Sequence, residues 1–131
     1  MKRRNFILMG ITAATALTLH GCFRSGPAAA IERFMRAMDK GEIEEAMEFY
    51  PPSFYQTFGK DKARMFLVEM SKELQAKGGI KSFKVNNEEV TGDLATVNFT
   101  VTYEDGSQET EEMSLLKQDG KWLANPDSGS K

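Results

Sequence analysis

The segment ATVNFTVTY, residues 95–103, has the most regular pattern in the chain. Apolar side chains alternate there with polar ones, and the apolar set is Ala95, Val97, Phe99, Val101 and Tyr103. A period of two is typical of a β-strand with one face in the core and the other in solvent. Asp105-Gly106 follows directly and predicts a tight hairpin turn. We therefore expect an antiparallel sheet around this strand, with one apolar face that other elements must cover.

The flanking segments extend this sheet. Upstream, Phe83 and Val85 alternate and Val90 then falls out of phase, which predicts a β-bulge near Asn86-Asn87. Downstream, residues 108–118 put Met113 and Leu115 on one face, and a second Asp-Gly pair predicts a hairpin into a short last strand, 121–124. Consecutive strands with short turns predict a four-stranded antiparallel meander.

The residues before the sheet have helical periodicity instead. Ile31, Phe34, Met35 and Met38 form one apolar stripe between Pro27 and Gly41. A second helix is predicted over 42–50, ended by Pro51-Pro52, and a third over about 60–77, ended by Gly78-Gly79. Its stripe is Ala63, Phe66, Leu67, Met70 and Leu74. The aromatic segment 53–58 is predicted to be an irregular turn. Three helices and a four-stranded sheet, each with one apolar face, predict an α+β domain of two layers over residues 27–126.

Composition excludes several classes of function. With 17 Lys and Arg against 19 Asp and Glu, the chain lacks the basic excess of a nucleic-acid-binding protein. Its single cysteine is Cys22 and its single histidine is His20, both close to the N-terminus. Beyond Cys22 there is no residue for a disulfide, a Cys–His or Ser–His–Asp nucleophile, or a His or Cys metal site. We expect no metal and no cofactor.

The N-terminus is typical of an export signal. Lys2-Arg3-Arg4 precedes an apolar stretch, residues 6–19, that is too short for a membrane span of about 20 residues. Leu19-His20-Gly21-Cys22 comes next and resembles the lipobox of bacterial lipoproteins. The resemblance implies that residues 1–21 are a signal peptide, that cleavage falls between Gly21 and Cys22, and that Cys22 carries the lipid.

The same segment bears on localisation. A lipid on Cys22 would anchor the chain to a membrane of the cell envelope, and residues 22–26 would be the tether. At the other end of the chain, residues 127–131 are expected to be a disordered tail. Phe23 stands where an Asp often signals inner-membrane retention in Gram-negative lipoproteins, so the outer membrane, facing the periplasm, is expected in such an organism. Arg3-Arg4-Asn5-Phe6-Ile7 also resembles a twin-arginine signal, and both export routes stay open.

Three local motifs, in order, resemble the nuclear-transport-factor-2-like superfamily and its small bacterial lipoproteins. The first is the opening helix, residues 28–38. The second, residues 40–46, matches a Gly-Asp-x-x-x-Ala pattern with Glu42 in place of Asp. The third, residues 119–123, matches Asp-Gly-x-Trp. The resemblance implies a cystatin-like cone, akin to lumazine-binding-like domains, in which a curved sheet wraps helices and a pocket opens at the wide end.

A non-catalytic binding domain is the main functional expectation, for a small apolar ligand or a protein partner. An apolar pocket with polar tips is predicted from six aromatic residues, although the same residues could simply fill the core. They are Tyr50, Phe54, Tyr55, Phe58, Tyr103 and Trp122. The outer face of the central strand is polar but uncharged, which is compatible with a homodimer formed through that face.

The alternative is an isomerase- or dehydratase-like enzyme that uses a pocket Tyr and a carboxylate. No carboxylate lies on the apolar face of the strand 95–103, which disfavours it. It requires an inward carboxylate beside Tyr50, Tyr55 or Tyr103. The acidic residues at 42–48 and 109–112 are expected to be solvated surface. A Cu(I) site on Met35, Met38 and Met47 was weighed against simple core packing, and packing is favoured.

Overall fold

The computed structural model describes residues 26–126. The predicted signal peptide, the Gly21–Cys22 cleavage site, the lipidation site at Cys22, tether residues 22–25 and the tail 127–131 lie outside the described residues. Gly26, the last tether residue, immediately precedes the first helix. None of the helices between residues 26 and 126 is both long and apolar enough to cross a membrane.

Four helices precede the sheet in the described part of the chain, one more than expected. They are α1 (Pro27–Lys40), α2 (Ile43–Met47), α3 (Pro52–Phe58) and α4 (Lys60–Ala76). Pro27 occupies the first turn of α1, where the missing N–H has no partner to lose. Gly41 ends α1 in the left-handed conformation, with φ of 75°, and its N–H bonds the Met38 carbonyl.

The irregular turn expected at residues 53–58 is wrong, because this segment is the helix α3. The helix predicted over 42–50 is shorter than expected, because α2 already ends at Met47. Pro51 then has extended backbone, and Pro52 starts a new helix at its first turn. Phe54 and Phe58, one helical turn apart, stack with their ring centroids separated by 5.2 Å.

The sheet is the predicted antiparallel meander. Its strands are β1 (Ile80–Thr91), β2 (Leu94–Tyr103), β3 (Gln108–Gln118) and β4 (Lys121–Ala124), in the spatial order β1-β2-β3-β4. The predicted bulge in β1 is confirmed, because Val85 pairs with Phe99 but Asn87 pairs with Asn98. Asn86 is therefore an extra residue, which returns Val90 to the same face as Val85. A second extra residue, Lys81, lies near the start of the strand.

The helices pack on one face of this sheet, which we call the inner face. The whole predicted apolar set of β2 is buried there, from Ala95 to Tyr103. Ile31, Phe34 and Met38 of α1 belong to the same buried core, as do Leu67 and Leu74 of α4. Ala63 of α4 is buried as well. Ser71 of α4 is a buried polar residue, and its hydroxyl donates a 2.6 Å hydrogen bond to the Met38 carbonyl. This bond satisfies a polar group inside the interface between the two long helices.

One residue of the predicted α4 stripe lies elsewhere. Phe66 is 49% exposed, because the short α3 covers it only through an edge contact from Phe58 at 6.4 Å. The α+β architecture itself, helices on a four-stranded antiparallel sheet, is confirmed.

Candidate functional site

A cavity of about 140 Å³ lies between the helix layer and the inner face, and we call it the inner cavity. Its walls are apolar and come from α1, α4, β2 and β3. They consist of Phe34, Met35, Met38, Met70, Leu74, Phe99, Val101 and Met113. Polar side chains line the rest of it, namely Tyr50, Glu73, Lys77, Tyr103, Glu109 and Glu111. An apolar body with a few convergent polar groups is the usual composition of a small-molecule site.

Two carboxylates of β3, Glu109 and Glu111, line this cavity and are exposed to solvent, as the sequence predicts. Glu109 pairs with Val101 and Glu111 pairs with Phe99, so both belong to the inner face. Hydropathy alone predicts their exposure but does not show that they share a face with the cavity wall. The signal that could have found them is the period of two, because Met113 and Leu115 are inner residues and every second residue before them shares their face.

Three polar groups make a connected unit in this cavity. The Tyr103 hydroxyl donates a 3.0 Å hydrogen bond to Glu109 Oε1. Lys77 Nζ donates to Glu109 Oε2 at 2.9 Å, and the same ammonium lies 4.7 Å from the centre of the Tyr103 ring. The carboxylate thus accepts from two side chains, and the ring face accepts a cation.

Burial and the hydrogen bonds within this unit shift the pKa values of all three groups. The hydrogen bond from Lys77, followed by the one from Tyr103, lowers the pKa of Glu109 below its usual value. Burial, together with the bond to Glu109, raises the pKa of the Tyr103 hydroxyl. The bond to Glu109 also raises the pKa of Lys77. Each shift favours the form present at neutral pH, so the unit is a fixed arrangement of charges at that pH.

Three of the six aromatic residues predicted to form a pocket, Tyr50, Phe54 and Phe58, form a continuous stack. Tyr50 stacks on Phe54 at 4.5 Å and meets the core through an edge contact with Phe34 at 5.8 Å. Phe54 continues the stack to Phe58. Tyr50 and Tyr103 are the two predicted residues that line the inner cavity.

Tyr55 turns back into the helix layer. Its hydroxyl donates to the Met47 carbonyl at the end of α2. Burial, with a smaller contribution from the nearby Tyr50, raises the pKa of Tyr55 to about 12. Burial also raises the pKa of Tyr50. Both phenols therefore stay protonated at neutral pH.

Trp122 lies apart from the other predicted residues. It lines a second cavity of about 390 Å³, between α1 and the start of β4, whose charged residues are Arg33, Glu45, Glu48 and Lys121. Trp122 itself is 8% exposed, and Lys117 Nζ lies 5.8 Å from its ring centre. The sequence suggested one pocket for all six aromatic residues, whereas the structure distributes them between two cavities and a stack.

A patch of exposed apolar side chains lies where α3 meets α4. It consists of Phe58, Met65 and Phe66, which are 42%, 68% and 49% exposed. Phe58 and Phe66 make an edge contact with each other at 6.4 Å.

Between residues 26 and 126, no three His, Cys, Asp or Glu residues are grouped so that they could hold a metal ion.

Helices over a four-stranded antiparallel meander give this chain a nuclear-transport-factor-2-like fold, which it shares with the solved structures below. Residues 20–125 match the family described as "Domain of unknown function (DUF4878)", and the chain belongs to this family. No curated protein matches the chain.

Solved structures support the fold. A Campylobacter jejuni protein described as an NTF2-like transpeptidase aligns with a TM-score of 0.66 at 22% identity, over 76% of this chain and 97% of that one. A de novo designed NTF2-fold protein, NT-9, aligns with a TM-score of 0.51 at 15% identity, over 74% and 82%. A Rhodopseudomonas palustris protein with a SEC-C motif, RPA3114, has a TM-score of 0.53 at 14% identity, over 79% and 81%. At these identities the likeness shows the fold alone.

Proposed function

We propose that this chain is a lipid-anchored domain of the cell envelope that binds a small, largely apolar ligand in the inner cavity. The observation that carries the proposal is that cavity, about 140 Å³ between apolar walls with polar groups around it. The lipobox resemblance at residues 19–22 supports the anchor, and Phe23 favours the outer membrane of a Gram-negative organism.

The volume suits a compact ligand. A cavity of about 150 Å³ lined by aliphatic and aromatic side chains holds a benzene molecule. The inner cavity is similar in size, and its four methionines, Met35, Met38, Met70 and Met113, can adapt their flexible side chains to a ligand of that size. A ring or a short branched chain would fill it.

The pKa shifts favour binding over catalysis. A general acid or base works best with a pKa near the working pH. The pKa of Glu109 is lowered and that of Tyr103 is raised, so both move away from neutrality. The unit is better suited to presenting fixed charges than to transferring protons, which supports a non-catalytic role.

Native mass spectrometry of protein isolated from its own cells tests the ligand proposal. We expect an added small-molecule mass on the wild type that is missing in Met113→Trp, because the larger side chain fills the cavity. Met65→Trp, changed at a residue that is 68% exposed, is the matched control and should keep the ligand. A wild type without added mass, or a Met113→Trp variant that keeps it, contradicts the proposal.

Palmitate labelling tests the anchor independently. The wild type should incorporate the label, start at Cys22 after processing and sediment with membranes. Cys22→Ala should lose all three properties, whereas Ser25→Ala should keep them. Unlabelled wild-type protein, or cleavage at another bond, would refute lipid anchoring and leave the ligand proposal standing.

One observation favours the enzyme alternative: the carboxylate of Glu109 accepts a hydrogen bond from the Tyr103 hydroxyl on the inner face. It predicts that a ligand recovered from the protein gains deuterium when it is incubated with the protein in D₂O. The gain should disappear in Glu109→Gln. An unchanged ligand mass would speak against this alternative.

A protein partner is the second alternative, and the exposed patch of Phe58, Met65 and Phe66 favours it. It predicts that Phe66→Asp abolishes a complex in the envelope while ligand binding continues. Self-association through the outer face of the sheet stays a prediction, for which sedimentation of the full chain is the direct measurement.

A further inference from the structure

The charges that line the inner cavity are unbalanced. Glu73, Glu109 and Glu111 line it, and Lys77 is the one Lys or Arg among the described residues that do so. Lys77 forms its ion pair with Glu109 at 2.9 Å. This arrangement leaves two carboxylates in excess beside an apolar volume, where a second cation is favoured and an anion is repelled.

The position of Glu111 is set by the register of the sheet. It pairs with Phe99, which is 2% exposed and forms part of the cavity wall. The strand therefore places the exposed Glu111 side chain on the same face as the apolar lining. Its neighbour Glu112 pairs with Asn98 and belongs to the outer face, so the two glutamates differ mainly in the face that they occupy.

The ring of Tyr103, which lines the same cavity as Glu109 and Glu111, already contacts a cation. Lys77 Nζ lies 4.7 Å from the centre of the Tyr103 ring. Tyr50 and Phe34 supply further rings to the same cavity. Aromatic faces together with carboxylates are the groups that recognise an ammonium ion attached to an apolar body.

We infer that the ligand of the inner cavity is a small organic cation, an amine or quaternary ammonium on an apolar body of about one ring. The inference rests on the proposed function and specifies its ligand class. The apolar body occupies the methionine and aromatic walls, and the ammonium lies at Glu111 and Glu73. A neutral ligand of the same shape would gain no attraction from those carboxylates, and an anion would be repelled.

Methionine-methyl NMR of the full chain in lipid nanodiscs tests this inference. Three probes of similar shape differ in charge: phenethylammonium, 2-phenylethanol and phenylacetate. We expect phenethylammonium to shift the methyl signals of Met35, Met38, Met70 and Met113 and to leave that of the exposed Met65 unchanged. Its affinity should exceed that of 2-phenylethanol by about three- to tenfold, and phenylacetate should bind most weakly.

Two variants test whether the preference for phenethylammonium over 2-phenylethanol depends on a carboxylate of the inner face. Glu111→Gln should reduce the advantage of phenethylammonium about threefold or more and leave 2-phenylethanol unaffected. Glu112→Gln, the outer-face control, should change neither affinity. If 2-phenylethanol binds as tightly as the amine, or phenylacetate binds more tightly, the cation inference is wrong while the cavity proposal stands. If none of the probes shifts the cavity methionines, both are overturned.

Discussion

The inner and outer faces of the sheet are built from the same strands but are stabilised by different interactions. On the inner face Val97, Phe99 and Val101 are almost fully buried under the helices. On the outer face the Thr100 hydroxyl lies 2.8 Å from that of Thr110 and accepts a 2.9 Å bond from Asn86. The outer polar groups bond one another and solvent, so that face needs no cover. The inner face is stable only where something apolar lies on it.

A second difference runs along the inner face itself. Leu115 of β3 is fully buried, Met113 is half-buried, and Glu111 and Glu109 are exposed, although all four point the same way. The change follows the helix cover, which is complete over Leu115 and opens into the inner cavity toward Glu109. The face therefore passes from core to binding site within one strand.

The largest effect should come from removing inner-face packing. Phe99→Ala deletes a ring that is 2% exposed and stacks on Phe83 at 5.1 Å, so we expect the free energy of unfolding to fall by about 3–5 kcal/mol. Urea denaturation of the full chain measures it. A loss below about 1 kcal/mol would mean that the inner face is not the main source of stability.

The outer face should be much less sensitive. Thr100→Ala removes a hydroxyl that contacts Asn86 and Thr110, and we expect a loss of about 0.5–1.5 kcal/mol. Asn86 and Thr110 keep access to water, which limits the cost. If the loss equals that of Phe99→Ala in the same denaturation series, the distinction between the faces fails.

The smallest effect should be a pH dependence at the mouth of the cavity. The folded-state pKa of Glu109 lies below its usual value of 4.5, so its contribution to stability is present above that pH and is lost as pH falls through the lowered pKa. The side chain of Glu109 is 45% exposed, so the contribution should be at most about 1 kcal/mol.

Glu109→Gln should therefore lose less stability than the wild type between pH 7 and pH 3, as measured by urea denaturation at both values. Glu112→Gln is the matched outer-face variant. A pH dependence that Glu109→Gln leaves unchanged would exclude this carboxylate as its source.

Periodicity predicted most of the fold because it reports directly on burial. The alternation in β2, the stripe of α1 and the phase change at Asn86 each have one structural explanation. The sequence did not predict helix α3, because Pro51-Pro52 is compatible with two structures. A proline disfavours helix in the residue before it, but it also fits the first turn of a new helix. Phe66 was misassigned because a helical stripe does not show how far the neighbouring helix extends.

The candidate site was harder to predict than the fold. Tyr50 and Tyr103 were identified from their residue type, and both line the inner cavity. Lys77 was not identified, because it follows α4 and meets Glu109 only through tertiary packing. Trp122 was grouped with the other aromatic residues, but β4 places it in a different cavity. Distances across layers are set by the packing of whole elements, and no local pattern encodes them.

The two extra residues of β1 affect how readily another molecule can pair with this edge of the sheet. This strand is at an edge of the sheet, and Lys81 and Asn86 each interrupt the even spacing of its hydrogen-bonding groups. A strand from another molecule needs a regular row of such groups to pair with, and an exposed lysine on the edge further hinders its approach. Copies that collide at this edge are therefore kept from joining their sheets into aggregates.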